Sequence, residues 1–128
     1  MKPHIISAGL KHIDMSERCP MVAIIHKKNY ILSIGSNNAH KTHPRSQREE
    51  GFNSGIHAEL RAIMKVKYKD LTNCEITILR LAKYDGKSLK MAKPCKHCQA
   101  LIQEYGIKKI HYSNEYGSFT TIRLKKEK

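Results

Sequence analysis

Two short runs hold the residue types that do chemistry: His57-Ala58-Glu59 and Pro94-Cys95-Lys96-His97-Cys98. A Cys-x-x-Cys pair by itself can hold a metal, exchange disulfides or sit buried as two thiols. At the start of a helix, two thiols three residues apart face one point, and the first-turn amides and helix dipole favour their thiolate forms. His57 supplies a third ligand if its helix begins beside theirs, above the carboxyl ends of parallel strands. Three protein ligands with one open position describe a catalytic zinc site. Glu59 lies about 200° round a helix from His57 and does not share its side face, but it borders the same small molecule. Its carboxylate is thus placed as proton carrier for a water whose pKa the metal lowers. A redox dithiol fits less well, because such a motif follows an early strand and this pair comes late.

The elements that must position these residues follow from periodicity. Ile5, Ile6, Leu10 and Ile13 within residues 4–17 give a short one-faced helix, and runs at 21–26 and 30–35 give a hairpin turning through Lys27, Lys28 and Asn29. Residues 36–55 are polar, contain Pro44, Gly51 and Gly55, and read as a long loop. Asn53 or Ser54 caps a helix to about Tyr68, with Ile56, Leu60, Ile63 and Met64 on its buried stripe. Residues 75–82 form a strand, about Cys95 to Tyr105 a helix ended by Gly106, 107–112 a strand and 118–125 the last strand. Alternation of strand and helix requires a sheet with parallel members and helices on its faces. The connection from about Tyr112 to Ser118 is too short for a parallel crossover, so the last two strands pair antiparallel. The expectation is a single α/β domain over residues 1–128, three layers deep (α/β/α), around a mixed five-stranded sheet.

The two runs together resemble the H-x-E and P-C-x-x-C signature of zinc-dependent nucleobase deaminases. "KTHP" with "IHAEL" and "AKPCKHC" is similar, more particularly, to small phage-type proteins of the cytidine/deoxycytidylate deaminase superfamily. The resemblance spans most of the chain and implies a cytidine-deaminase-like fold. It implies Zn²⁺ held by His57, Cys95 and Cys98, with Glu59 carrying protons during hydrolytic attack on the amine-bearing ring carbon, C4 in cytosine. Asn37, in Gly35-Ser36-Asn37, matches a segment whose Asn contacts the sugar, although Asn and Gly after a strand also serve turn geometry. Polynucleotide and deoxycytidylate deaminases typically reach strand five by a helix; free-cytidine deaminases typically use a hairpin, with three cysteines on zinc. This chain joins the histidine ligand to the hairpin ending.

Charge bears on substrate. Lys and Arg number 24 against 11 Asp and Glu, a formal net charge of +13, which favours nucleotides or nucleic acid. Lys41, His43, Arg45 and Arg48 form a candidate phosphate-holding wall, and Lys87, Lys90, Lys93 and Lys96 flank the other side. The candidate substrate contacts are Asn37, Ala58, Lys41, His43, Arg45, Arg48, Lys93 and Tyr112, with Tyr112 and Tyr116 placed to cover a base. Trp is absent and aromatics are sparse among the lysines, so no stacking platform for an extended single strand is evident. Cys19 and Cys74 read as core or strand-edge residues and His97 as exposed. The ending "RLKKEK" is a solvated run or a weak polyanion grip. No signal-peptide run or span of roughly 20 apolar residues is present, which implies a soluble, cytoplasmic protein with no membrane partner; a homo-oligomer is expected. The favoured substrate is deoxycytidine monophosphate (dCMP). The competing readings are a cytosine or adenosine deaminase acting on single-stranded DNA or RNA, and a nucleic-acid-binding protein with structural zinc.

Overall fold

The computed structural model describes residues 3–13, 15, 20–37, 58–66, 71–82 and 85–124. Helix α1 spans Pro3–His12, strands β1 and β2 span Met21–Lys27 and Tyr30–Ser36, helix α2 spans Ala58–Lys65, and β3 spans Glu75–Arg80. Helix α3 (Lys96–Glu104), β4 (Lys109–Ser113) and β5 (Phe119–Arg123) complete the order. The expected elements are present, with α1 five residues shorter at its end than the apolar spacing suggested. α2 ends at Lys65, three residues before the expected Tyr68; its expected cap and start, Cys19 and residues 125–128 lie outside the described residues.

The strands form one sheet in the order β2-β1-β3-β4-β5. β1 pairs antiparallel with β2 and β3, β3 pairs parallel with β4, and β4 pairs antiparallel with β5. The mixed sheet and antiparallel ending match the expectation, for the stated reason: five residues, 114–118, join β4 to β5. β2, β3 and β4 therefore run the same way, and their carboxyl ends share one edge. The chain leaves β2 for α2 and β3 for α3, so both helices begin at that edge, the place where open α/β sheets bind ligands.

Strand alternation sorts the side chains into two cores. Ala23, Ile25, Ile76, Ile78 and Ile110 face α2 and α3, packing with Leu60, Ala62, Ile63, Leu101 and Ile102. Val22, Ile24 and Leu79 face the other way and pack with Ile5 of α1. Two glycines set the closest approaches. A Cβ on Gly35 would sit 2.4 Å from the Ala62 amide nitrogen, whereas one on Gly9 would sit 2.5 Å from the Ile24 Cδ1 methyl. The β1–β2 turn places Lys28 at φ 54°. The imidazoles of His26 and His4 donate to the carbonyls of Lys28 (3.0 Å) and Asn29 (2.7 Å), which holds that turn.

No helix among the described residues is long and apolar enough to cross a membrane.

Candidate active site

Helix α3 starts at its chemistry. Cys95 is the N-cap, with extended backbone (φ −68°, ψ 168°), and its Sγ accepts the Cys98 amide at 3.5 Å. Both sulfurs therefore lie at the helix's first turn, Cys95 exposed and Cys98 fully buried. Pro94 is buried before them, and its carbonyl accepts the Gln99 side-chain amide at 2.9 Å, which fixes the entry of the chain into the helix.

Glu59 occupies the first turn of α2 and is 2 % exposed. Helices α2 and α3 pack against one another, which brings the Glu59 carboxylate against the Cys98 thiol. The hydrogen bond with Cys95, burial, and then the Glu59 charge push the Cys98 thiol well above its usual range. Burial and the neighbouring carboxylate oppose, at Cys98, the helix dipole that favours thiolate. A dry position beside a carboxylate outweighs a few partial charges. A bound dication reverses the balance, because it coordinates the thiolate.

The donor set fits zinc. Two sulfurs on one helical turn, one accessible and one buried against an acid, suit a soft-to-borderline cation that accepts sulfur and imidazole together. Among the described residues no group of three His, Cys, Asp or Glu forms a metal cluster. His57, the expected third ligand, lies outside them, immediately before Ala58, the first residue of α2 and fully buried.

The other candidates are dispersed. Asn37 stands at the same sheet edge, where its Oδ1 accepts the Met21 amide at 3.1 Å and its own amide donates to the Met21 carbonyl at 3.3 Å. Its visible work is to close the β1–β2 pair. Tyr112 is 7 % exposed and belongs to the apolar core beneath α2 and α3. Tyr116, at the tip of the β4–β5 hairpin, is 85 % exposed. Lys87, Lys93 and Lys96 are exposed and Lys90 is half-buried. Lys41, His43, Arg45 and Arg48 lie outside the described residues. Cys74 is in the core as expected. His97 is half-buried, not exposed: placing it between two first-turn cysteines does not free it from the neighbouring chain.

Ser113 is a positioning residue that the sequence did not reveal. Fully buried at the end of β4, its hydroxyl donates to the Lys90 carbonyl (2.7 Å) and accepts the Arg80 amide (3.1 Å), while its carbonyl accepts the Ala92 amide (2.9 Å). It thereby fastens the segment that delivers Pro94 and Cys95. Upstream, the Asp85 carboxylate shapes the same connection by accepting the Lys87 and Ser88 amides at 2.9 and 3.0 Å. The Ser88 hydroxyl bond and those amides hold the Asp85 carboxyl down to about 2. A small hydroxyl residue ending a strand was the available signal for Ser113, but it is shared by many ordinary strand ends.

Two helices thus start at the carboxyl edge of a mixed sheet, with paired thiols and a buried acid where they meet. Residues 5–114 match the model of the cytidine and deoxycytidylate deaminase zinc-binding region, and the chain belongs to that family. No curated protein matches it in sequence. Among solved structures it is similar to the dCMP deaminase of the cyanophage S-TIM5 in apo form, with 24% identity, TM-score 0.52, and coverage of 89% of this chain and 86% of that one. The same enzyme in complex with dCMP and dUMP matches at 24% identity and TM-score 0.51, over 88% and 82% of the two chains. The cytidine deaminase of Burkholderia pseudomallei shares 14% identity but a TM-score of 0.64, over 96% and 93%.

Proposed function

We propose that the chain is a zinc-dependent hydrolytic deaminase that converts a cytosine-bearing nucleotide, dCMP before others, to its uracil counterpart with release of ammonia. The observation that carries this reading is the burial of Glu59 against Cys98 where two helices begin. A carboxylate kept dry beside thiol ligands is poorly explained by packing and well explained as a proton carrier. When held by His57, Cys95 and Cys98, Zn²⁺ supplies a Lewis acid that lowers the pKa of a water to about 7.

The chain's own residues do the rest. Glu59 takes a proton from the attacking water and gives it to the ring nitrogen beside C4 as the C–O bond forms. It then carries the proton of the new C4 hydroxyl to the amino group, so that the C4 carbonyl forms, the C–N bond breaks and neutral ammonia leaves. Ala58, with no polar side chain, and Tyr112 beneath it offer apolar walls to the base, and Asn37 offers an amide to the sugar. Lys93, Lys41, His43, Arg45 and Arg48 are the cations assigned to the phosphate in this reading. Self-association belongs to the same proposal, because β2 and β5 are sheet edges.

The test is ammonia release by zinc-loaded protein on dCMP, cytidine, dCTP and single-stranded DNA at fixed salt. Turnover of dCMP is expected, with Glu59→Gln retaining zinc and losing about 10²–10⁴-fold in rate. Turnover of the strand and of no monomer would replace the nucleotide reading with the polynucleotide one. Bound zinc with no turnover of any substrate would favour a binding protein.

A further inference from the structure

At the edge of the sheet opposite the candidate active site, one face is open among the described residues. Helix α1 lies over β2, β1 and β3, and no described helix covers β4 and β5 on that side. The pairing register identifies what this ribbon presents there. His111 bonds Thr121 across the strands at 2.8 Å (Nδ1 to Oγ1) and bonds Glu75 on the neighbouring strand, so these side chains share the face. One step further along, on the same face by alternation, Lys109 is directly opposite Arg123. Thr121 and Arg123 are exposed and Lys109 is half-buried.

Two like charges directly opposite one another in an antiparallel pair repel and destabilise the sheet. The acid nearest to them, Glu75, is already engaged by His111, and its remaining field acts on Lys109 from the β3 side. β5 itself, Phe119–Arg123, carries no acid to answer Arg123. Two cations beside a threonine hydroxyl on one face of the ribbon, in a chain of net charge +13, are complementary to a row of phosphates. The aromatic ring of β5 on this face, Phe119, is partly buried against the α1-side core, so the ribbon's cations grip a backbone and do not read bases.

We propose that the open face of β4–β5, centred on Lys109, Thr121 and Arg123, binds the phosphodiester backbone of nucleic acid independently of the candidate active site. The proposal does not rest on the deaminase reading, because its residues lie at the other end of the sheet.

The test is fluorescence anisotropy of a short labelled single-stranded DNA, and of an RNA of the same sequence, titrated with wild-type protein and with Lys109→Gln/Arg123→Gln. A Lys11→Gln/Lys27→Gln variant, with two exposed lysines changed elsewhere, makes the same change in net charge. The ribbon variant is expected to bind at least tenfold more weakly at low salt, with DNA and RNA affected alike. Its log-log salt slope should be shallower by about 1.4, at roughly 0.7 for each phosphate that a single strand no longer has neutralised. Its melting temperature should stay close to that of wild type, because the lost repulsion from Arg123 offsets the lost attraction to Glu75; this separates weakened binding from impaired folding. Equal affinity and slope in the two double variants would overturn the proposal, as would wild-type protein that binds labelled polyglutamate and neither nucleic acid.

Discussion

At the scale of single residues, position was legible where residue types are rare and their spacing is strict. Cys95, Cys98 and Glu59 stand where the sequence placed them, because thiols three apart at a helix start and an acid in a first turn leave little freedom. Ser113 escaped notice because its importance lies in three hydrogen bonds to segments distant in sequence, which no local pattern encodes. Substituting it tests that importance. Ser113→Ala removes the hydroxyl that donates to the Lys90 carbonyl and accepts the Arg80 amide at a part-buried place, a cost of about 1–3 kcal/mol. Urea denaturation should show a loss of that size. Zinc competition against a chelator should show weaker binding too, since the slackened segment carries Cys95. Unchanged zinc affinity in a folded variant would reduce Ser113 to a purely structural residue.

At the scale of elements, α2 must be held close enough to β2 for Glu59 to reach α3. Ser33 donates to the Ala62 carbonyl at 2.7 Å and Lys65 to the Ile34 carbonyl at 2.9 Å, and Gly35 leaves room for the approach. The glycine positions make opposite predictions. At Gly35 an added methyl meets the α2 backbone at Ala62 nitrogen (2.4 Å) and Arg61 carbon (2.8 Å), neither of which can swing aside. Gly35→Ala should therefore cost about 1–3 kcal/mol and depress deamination with it, as α2 and its carboxylate shift. At Gly9 the added methyl meets the Ile24 and Leu79 side-chain ends, which can change rotamer, and alanine favours the helix by roughly 1 kcal/mol. Gly9→Ala should fall well short of Gly35→Ala in destabilisation, with deamination preserved; thermal melts and rate assays on the pair decide it. The hairpin ending was readable from the length of one connection. The stop of α1 at His12 was not, because Ile13 and Met15 continue the apolar spacing past the point where the helix ends.

At the scale of the whole molecule, charge decides how the fold responds to acid. His26 is buried, with its Nε2 bonded to the Thr77 hydroxyl at 2.7 Å and its ring stacked 6.2 Å from that of His111. Burial lowers its pKa from 6.5 and outweighs the Lys28 carbonyl and the Glu75 charge, which raise it; His111 and His4 add to the lowering. Burial raises Glu75, but the His111 hydrogen bond and charge, then His26 and Lys109, prevail and hold that carboxyl below its usual value of 4.5. Both native groups thus bind protons less readily than the unfolded chain does. For His26 the deficit opens as pH falls below 6.5 and grows until the native imidazole itself titrates. For Glu75 it opens below 4.5 and grows until the native carboxyl titrates. Stability should therefore decline continuously on acidification from about pH 6.5, with no recovery at an intermediate pH. Each proton taken up also adds to a chain already at +13, so self-repulsion works in the same direction. Urea midpoints measured from pH 7.5 to pH 4 should fall throughout. Added salt should raise them by screening the repulsion while leaving the buried His26 deficit largely intact. His26→Gln, which removes the first titrating group, should flatten the curve between pH 6.5 and 5 and preserve the steeper loss below. A variant curve parallel to wild type in that upper range would mean that the early loss belongs to other histidines and not to the cluster beneath the sheet.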